Sequence, residues 1–573
     1  MFFKIKYLVD FIPILLIYLI LEILKRIESN QKALLLSSIL LVILFLTYRF
    51  FKNDSIIISR LNHTLTESRR NFIIFIIFIS TLTIISQNYF LNFEMIDWDI
   101  PSYLVAASDV LRGNLPLENQ WESKGPVFFY LYSLILIISG KNIIFFKLLN
   151  DLILLFLSLI IFKIVSLKTN KNFVLSSLAS TLFILLFSLS SLVSEYSELY
   201  SLVFISLSYY FYEKNKDNNS NLILIGIFMS LSTLINQGTV LFVLPYLIII
   251  FLANKGKNVF KKYTFFGLGL IGPHLFFLII YFINNLTDIY IATFIEIPFK
   301  YTASTFSYVY ELRVFFRQYF ELNNFIYISI FVLIIFYLFN LIDEKNLSKV
   351  YRDFDVLNIF FGLAFYIIAS HNYYHHLFFV LFFIPFFVSK IRYQKQISLL
   401  LLVILTSSLS IINDRFSKSY EYLSDIENTI NNYPIYQMSI DLNDRMSNNQ
   451  YKIFALDYVL VLFYLDKPNY TYVIHPSNFE EDFIVETLDR LEYQRKNIED
   501  DIVLGNFVDI IICTPRMVIN GEVRSNPLIN CDVSAYNRNY LRVDTTQYNI
   551  NPNLEYVNDP YKEISLYIKT KTN

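Results

Sequence analysis

Residues 94–113 read EMIDWDIPSYLVAASDVLRG, placing two carboxylates, Asp97 and Asp99, just beyond an almost uncharged run from Asn71 to Asn92. Desolvating a carboxylate beside an apolar segment is costly, so acids at such an edge are functional candidates by default. The chemistry open to them is proton acceptance: a general base takes the proton of an attacking hydroxyl and contributes about 10² to 10⁴ in rate. A plainer role is also open to Asp99. It stands at the N-cap position of a short surface helix with Pro101 in its first turn. Tyr103, Leu104, Ala107, Val110 and Leu111 follow at helical spacing, and Gly113 serves as the C-cap. A cap does not account for Asp97.

Groups able to hold a phosphate recur at similar edges. HNYYHH supplies His371, His375 and His376, and ELRVFFRQYF places Arg313 and Arg317 at i and i+4 on one helix face. The histidines suit phosphate or lipid-headgroup contact, or form an unremarkable interface loop; a metal site is the weaker reading because the motif holds no carboxylate or cysteine and no fixed spacing to other ligands. The arginines serve phosphate or a plain interfacial anchor equally well. SEYSELY adds Glu195 and Glu198, although acids gather in outer loops simply because basic residues are excluded there. His274, mid-span in GPHLFF, reads as packed and hydrogen-bonded. There is no P-loop, no GxGxxG after a strand, no HExxH and no paired CxxC.

The elements that must position these groups are membrane spans. The 573 residues are 55% hydrophobic and 18% aromatic, and only 17% are charged, against roughly a quarter in soluble domains. Mean hydropathy is +0.47. A net charge of −1 gives no global field for nucleic acid. Apolar stretches near 6–24, 32–51, 71–90, 143–167, 172–192, 199–212, 219–236, 238–254, 263–283, 323–342, 355–370, 374–390 and 395–412 predict about 13 transmembrane helices. The first is read as a retained span, not a signal peptide. Segment 126–140 is assigned to the outer interface or to a re-entrant helix. With that assignment the loops containing Arg60, Arg69 and Arg70, KTNK, EKNK, KGKNVFKK, DEKNLSK and KIRYQK all share the cytoplasmic face, leaving SEYSE, NQG and HNYYHH outside without lysine or arginine. The N-terminus is then cytoplasmic, and the basic hairpin loop KRIESNQK, 25–32, falls outside against the rule, which makes the first two spans the least secure. Loops 91–142 and 284–322 and the tail 413–573 lie outside. The predicted fold class is a polytopic α-helical membrane domain over 1–412 with a small extracytoplasmic α/β domain at 413–573. The tail has strands at 451–457, 470–475 and 508–514 and a helix at 479–502. Cys513 and Cys531 allow one disulfide.

An acid after an early span, a tyrosine four residues on, a surface helix ending in LxxG and a KGP opening an apolar helix together resemble the GT-C glycosyltransferases. The nearest likeness is to the glycosyltransferase 39-like group of protein O-mannosyltransferases and aminoarabinose transferases. The residues that carry it are Asp99, Tyr103, Leu111, Gly113, Lys124, Gly125 and Pro126, over about 91–240. That group usually shows Asp-Glu where this chain has Asp99-Ile100, so Asp97 and Asp99 both stay candidates, with Asp99 favoured by its spacing to Tyr103. The resemblance implies a GT-C-like fold and transfer of a sugar from a polyprenyl-phosphate donor to a lipid, glycan or protein acceptor on the extracytoplasmic face. It implies Asp99 as base, Lys124 as the phosphate-binding lysine assisted by Arg112, and Glu198, or else Glu195, as a further acid. No motif demands a cofactor, and a divalent metal is compatible. Membrane lipids are expected partners, nucleic acid is not, and a bacterial plasma (inner) membrane is the expected location. The competing classes are a transporter or flippase of lipid-linked sugars and a noncatalytic scaffold. A transporter would want intramembrane charges or broken helices near the midplane; the spans hold few such charges, Lys147, Asp151 and Lys163 being the main ones, and Lys147 and Asp151 at i and i+4 can simply pair.

Overall fold

The structure, a computed structural model, describes residues 69–94, 97–188, 193–215, 218–254, 258–303, 327–343, 350, 352–368, 374–446, 450–479, 481–494, 507–513, 516–519, 522–525, 539–546, 548 and 564–570. The spans expected at 6–24 and 32–51, with Arg313, Arg317 and His371, lie outside the described residues.

Long apolar runs form helices in the order α1 (Arg69–Asn88), α2 (Asp99–Leu111), α3 (Pro126–Ser139), α4 (Ile143–Lys168), α5 (Phe173–Leu186), α6 (Ser197–Asn215), α7 (Asn219–Thr233), α8 (Val243–Asn254) and α9 (Val259–Ile283). Short helices α10 (Thr287–Ile291) and α11 (Ile297–Ala303) flank a π-helical turn at Ala292–Glu296. Then come α12 (Tyr327–Asp343), α13 (Phe354–Ile368), α14 (Phe378–Phe383) within a helical run from Tyr374 to Lys390, and α15 (Gln394–Ser424). Among the described residues four helices are long and apolar enough to cross a bilayer: Arg70–Leu91, Ile143–Lys168, Val259–Ile283 and Lys395–Ser424. The other apolar helices are shorter. At 1.5 Å per residue the 26 residues of α4 extend about 39 Å, more than a hydrocarbon core of about 30 Å, whereas the 14 of α3 reach only about 21 Å.

One end of α4 is tied to a buried ionic knot. Lys168 meets Asp355 at 2.6 Å, Lys390 meets Asp355 at 3.0 Å and Asp353 at 2.8 Å, and Tyr209 donates to Asp355. Nearer its other end, Lys147 donates to the carbonyls of Phe90 and Phe93, while Asp151 accepts from Ser194 Oγ at 2.9 Å. Lys163, the third charge expected within the spans, stands with its Nζ 4.9 Å from the centroid of the Phe72 ring.

The expected boundary at 412/413 falls inside α15, which runs on to Ser424 without a break. Beyond it come α16 (Ile426–Asn431), α17 (Pro434–Arg445), α18 (Leu460–Tyr464) and α19 (Asp482–Arg490). A four-stranded sheet has the order β1-β2-β6-β5, from β1 (Ile453–Ala455), β2 (Ile510–Cys513), β5 (Tyr540–Val543) and β6 (Ser565–Lys569); β3 (Arg516–Ile519) and β4 (Glu522–Ser525) form a separate hairpin. β1 runs parallel to β2, with Ile453 opposite Ile510, and β6 is antiparallel to both β2 and β5. Two of the three expected strands are therefore present. The third, 470–475, is not a strand: after Tyr470 N donates to Ile453 O of β1 at 2.8 Å, the segment turns to pair with the outer loop. Trp121 N donates to Tyr472 O at 2.7 Å, Ile474 N to Trp121 O at 3.3 Å, and Gln120 Nε2 to Asn469 O and Thr471 O. The helix expected over 479–502 is shorter, with α19 ending at Arg490. One hydrophobic core joins helical bundle, outer loop and tail, from Phe75 to Tyr567. The tail is thus packed against the outer loop and the bundle.

Candidate active site

Asp99 opens the first turn of α2. Trp98 occupies the N-cap without a side-chain bond, which corrects the expectation that Asp99 caps the helix. Its carboxylate is engaged elsewhere: Asp99 Oδ1 accepts from Tyr103 OH at 3.2 Å and lies 3.2 Å from His475 Nε2. Tyr103 sits one turn on because residues i and i+4 share a helix face. At the other end Arg112 is the C-cap and Gly113, at φ +100°, takes the left-handed position that glycine alone adopts without strain.

The KGP turn brings Lys124 to the same place. Gly125 N donates to Ile235 O at 3.0 Å, and a Cβ at Gly125 would lie 2.0 Å from Leu234 O, so no larger residue fits this approach. Lys124 Nζ stands 5.9 Å from the centroid of the Tyr103 ring. Pro126 starts α3, whose Phe128 meets Tyr103 edge to face at 4.9 Å and Tyr200 at 5.2 Å, making an aromatic floor beneath the polar groups.

The SEYSELY loop and HNYYHH motif complete the cluster. Tyr196 OH donates to Asp97 Oδ2 at 3.1 Å, and its ring stacks on His375 at 4.4 Å. Glu198, fully buried at the start of α6, accepts from Asn236 Nδ2 at 3.0 Å and Ser197 Oγ at 3.2 Å, and its Oε1 lies 4.0 Å from His376 Nε2. Glu195 is buried in the same loop.

The charges sort themselves by environment. Burial, reinforced by neighbouring Asp99, pushes Asp97 up to about 7. Burial acts on Asp99 in the same direction but is outweighed by the hydrogen bond and charge of His475, with His375 and Lys124, which hold its carboxyl well below the usual range. For His475 the penalty of burial is overcome by Asp99 and Glu122, so its pKa rises. For Lys124 it is overcome by Glu198, Asp99 and Glu122, with the same result. Burial pushes Glu195 up to about 7.

Of the residues expected at the site, Asp97, Asp99, Tyr103, Lys124, Glu195, Glu198, His375 and His376 come together. Arg112 does not: about 20 Å of helix separate it from Asp99, and it pairs with Asp109 at 3.4 Å and Asp466 at 3.3 Å. His274 is packed as expected, with Nε2 2.7 Å from Thr233 Oγ1. The sequence reading missed His475, Glu122, Tyr196 and Asn236. His475 closes the apolar run YTYVIH, and a histidine ending a buried segment was the one local signal.

Residues 123–282 match the family described as dolichyl-phosphate-mannose-protein mannosyltransferase, a stretch that includes Lys124 and Glu198 but neither Asp97 nor Asp99. No protein with a curated description matches the sequence. The fold is similar to that of ArnT from Cupriavidus metallidurans. The crystal structure of ArnT bound to undecaprenyl phosphate superposes with a TM-score of 0.54 at 8% identity, over 78% of this chain and 94% of that one. Its apo state gives 0.53 at 9% identity, over 78% and 93%. The chain thus has the GT-C fold.

Proposed function

We propose that this protein is a membrane glycosyltransferase that moves a sugar from a polyprenyl-phosphate donor to a hydroxyl of a lipid, glycan or protein acceptor on the extracytoplasmic face. The observation that carries the reading is the convergence on one cluster of Asp99, held by Tyr103 and His475, and the half-buried cation Lys124, 5.9 Å from the centroid of the Tyr103 ring. The match of residues 123–282 and the ArnT structure bound to undecaprenyl phosphate support the donor class.

In this mechanism the acceptor oxygen attacks the anomeric carbon and its proton passes to Asp99. The bond from that carbon to the phosphate oxygen breaks, and its electron pair leaves with the polyprenyl phosphate. Lys124 offsets the charge that develops there. His475 and Tyr103 fix the Asp99 carboxylate. A second reading, with Asp97 as base, is favoured by its titration near 7, since a base is most effective with a pKa near the working pH.

Two features support an extracytoplasmic site. In the sequence, loops rich in lysine and arginine alternate with loops that lack them, and Cys513 in the tail is disulfide-bonded, as oxidising compartments allow. The test is reconstitution of the purified protein in lipid with a panel of radiolabelled polyprenyl-phosphate sugars. Release of the lipid phosphate from one donor supports the assignment. Movement of intact donors across the bilayer without cleavage would overturn it in favour of transport.

A further inference from the structure

HNYYHH alone lacks the acid that a metal site needs, but the fold supplies it from the SEYSELY loop, far away in sequence. Glu198, His375 and His376 are all buried, and one ligand atom from each lies within 4.8 Å of the others. Two imidazoles and one carboxylate are a common donor set for Zn²⁺, Mn²⁺, Co²⁺ and Fe²⁺, and such a set leaves coordination positions open for water or substrate oxygen. Ligand atoms about 2.0–2.2 Å from a tetrahedral ion lie roughly 3.5 Å apart. The present trio therefore needs to contract by about 1 Å at its widest side.

The surroundings hold these ligands in place. Asn236 and Ser197 orient the Glu198 carboxylate, Tyr196 stacks on His375, and Phe365 meets the His376 ring edge to face at 5.6 Å. Fixing of this kind is what supporting residues do around metal ligands. The charge balance points the same way. Asp99, Glu122 and Glu198 are the acids that surround Lys124. A phosphate donor entering here meets a site already rich in negative charge, and its leaving group gains more.

We propose that Glu198, His375 and His376 bind one divalent transition-metal ion, with open positions directed to a phosphate oxygen. The ion's role, though not its binding, rests on the glycosyltransferase reading.

The test needs no sugar donor. Purified full-length protein, stripped with chelator, is titrated with Co²⁺ and followed by visible absorption, with Zn²⁺ as competitor and thermal unfolding alongside. One Co²⁺ per chain, displaced by Zn²⁺, with affinity at least tenfold weaker in Glu198→Gln and in His376→Ala and unchanged in His274→Ala, is expected. No Co²⁺ absorption in the wild type, or equal affinity in Glu198→Gln and His376→Ala, would overturn the site. Should both variants fail to fold, a Zn²⁺-dependent rise in the wild-type unfolding temperature that is retained in His274→Ala but lost in His375→Gln supports it, and no rise refutes it. Donor cleavage by chelator-stripped protein that binds no Co²⁺ would remove the metal and leave the transferase standing. Stoichiometric Co²⁺ binding without cleavage of any donor would do the reverse.

Discussion

Asp97 and Asp99 are two residues apart and sit in opposed environments: His475 and Lys124 hold Asp99 ionised, and burial beside Asp99 keeps Asp97 protonated up to about neutrality. Such splitting of a carboxylate pair separates the roles the two can play. With Asp99 as base, kcat/KM shows no acidic limb near pH 7, and Asp97→Asn stays within about tenfold of wild type. With Asp97 as base, kcat/KM falls about tenfold per unit below pH 7 and Asp97→Asn removes that limb. A pH profile of the two proteins decides between them. His475 acts on Asp99 by position and charge. His475→Gln frees the Asp99 carboxylate to rise toward its ordinary value, so kcat should fall by about tenfold or more while the donor KM changes little, and an acidic limb should appear in the pH profile. A change confined to KM would place His475 in donor binding instead.

Among the elements, α17 shows how the outer loop and tail are joined. Glu94, just beyond α1, accepts from Ile435 N and Tyr436 N, both at 2.7 Å, and so caps a helix more than three hundred residues away. Burial pushes Glu94 up from 4.5 to about 7, against those same backbone bonds. The folded state therefore holds this proton more tightly than the unfolded chain does. Its contribution is complete below pH 4.5 and is lost as pH rises through about 7, a difference on the order of 3 kcal/mol. Asp97 and Glu195 add to the same slope. Glu94→Gln should flatten the fall in unfolding temperature between pH 5 and 7, and an unchanged slope would contradict the assignment. The limits of α2 and α3 were legible because apolar periodicity, Pro126 and Gly113 are local signals. The N-cap of α2 was misread because Asp99 has the right type for a cap, while the partners that claim its oxygens come from elsewhere in the fold.

For the whole molecule, hydropathy placed the described apolar helices close to where the structure has them, and the charge of the loops supplies a topology for the reporters below to test. Asp99, Lys124 and Glu198 could be picked out because each sits in a short motif at a span edge. His475 could not, since it reaches Asp99 only through the docking of 470–475 on Trp121, a pairing that no local pattern encodes. The same docking explains why a segment with strand composition forms no sheet. The inferred topology predicts that a reporter fused after Ser417 is external and one inserted in KGKNVF, residues 255–260, is cytoplasmic. Both reporters on one side would overturn the placement of α3. The most direct test of the account compares wild type with Asp99→Asn, each folded and inserted in lipid, for cleavage of a polyprenyl-phosphate sugar. Loss of about 10² or more in turnover is predicted for the variant, and turnover equal to wild type would contradict the central role given to this carboxylate.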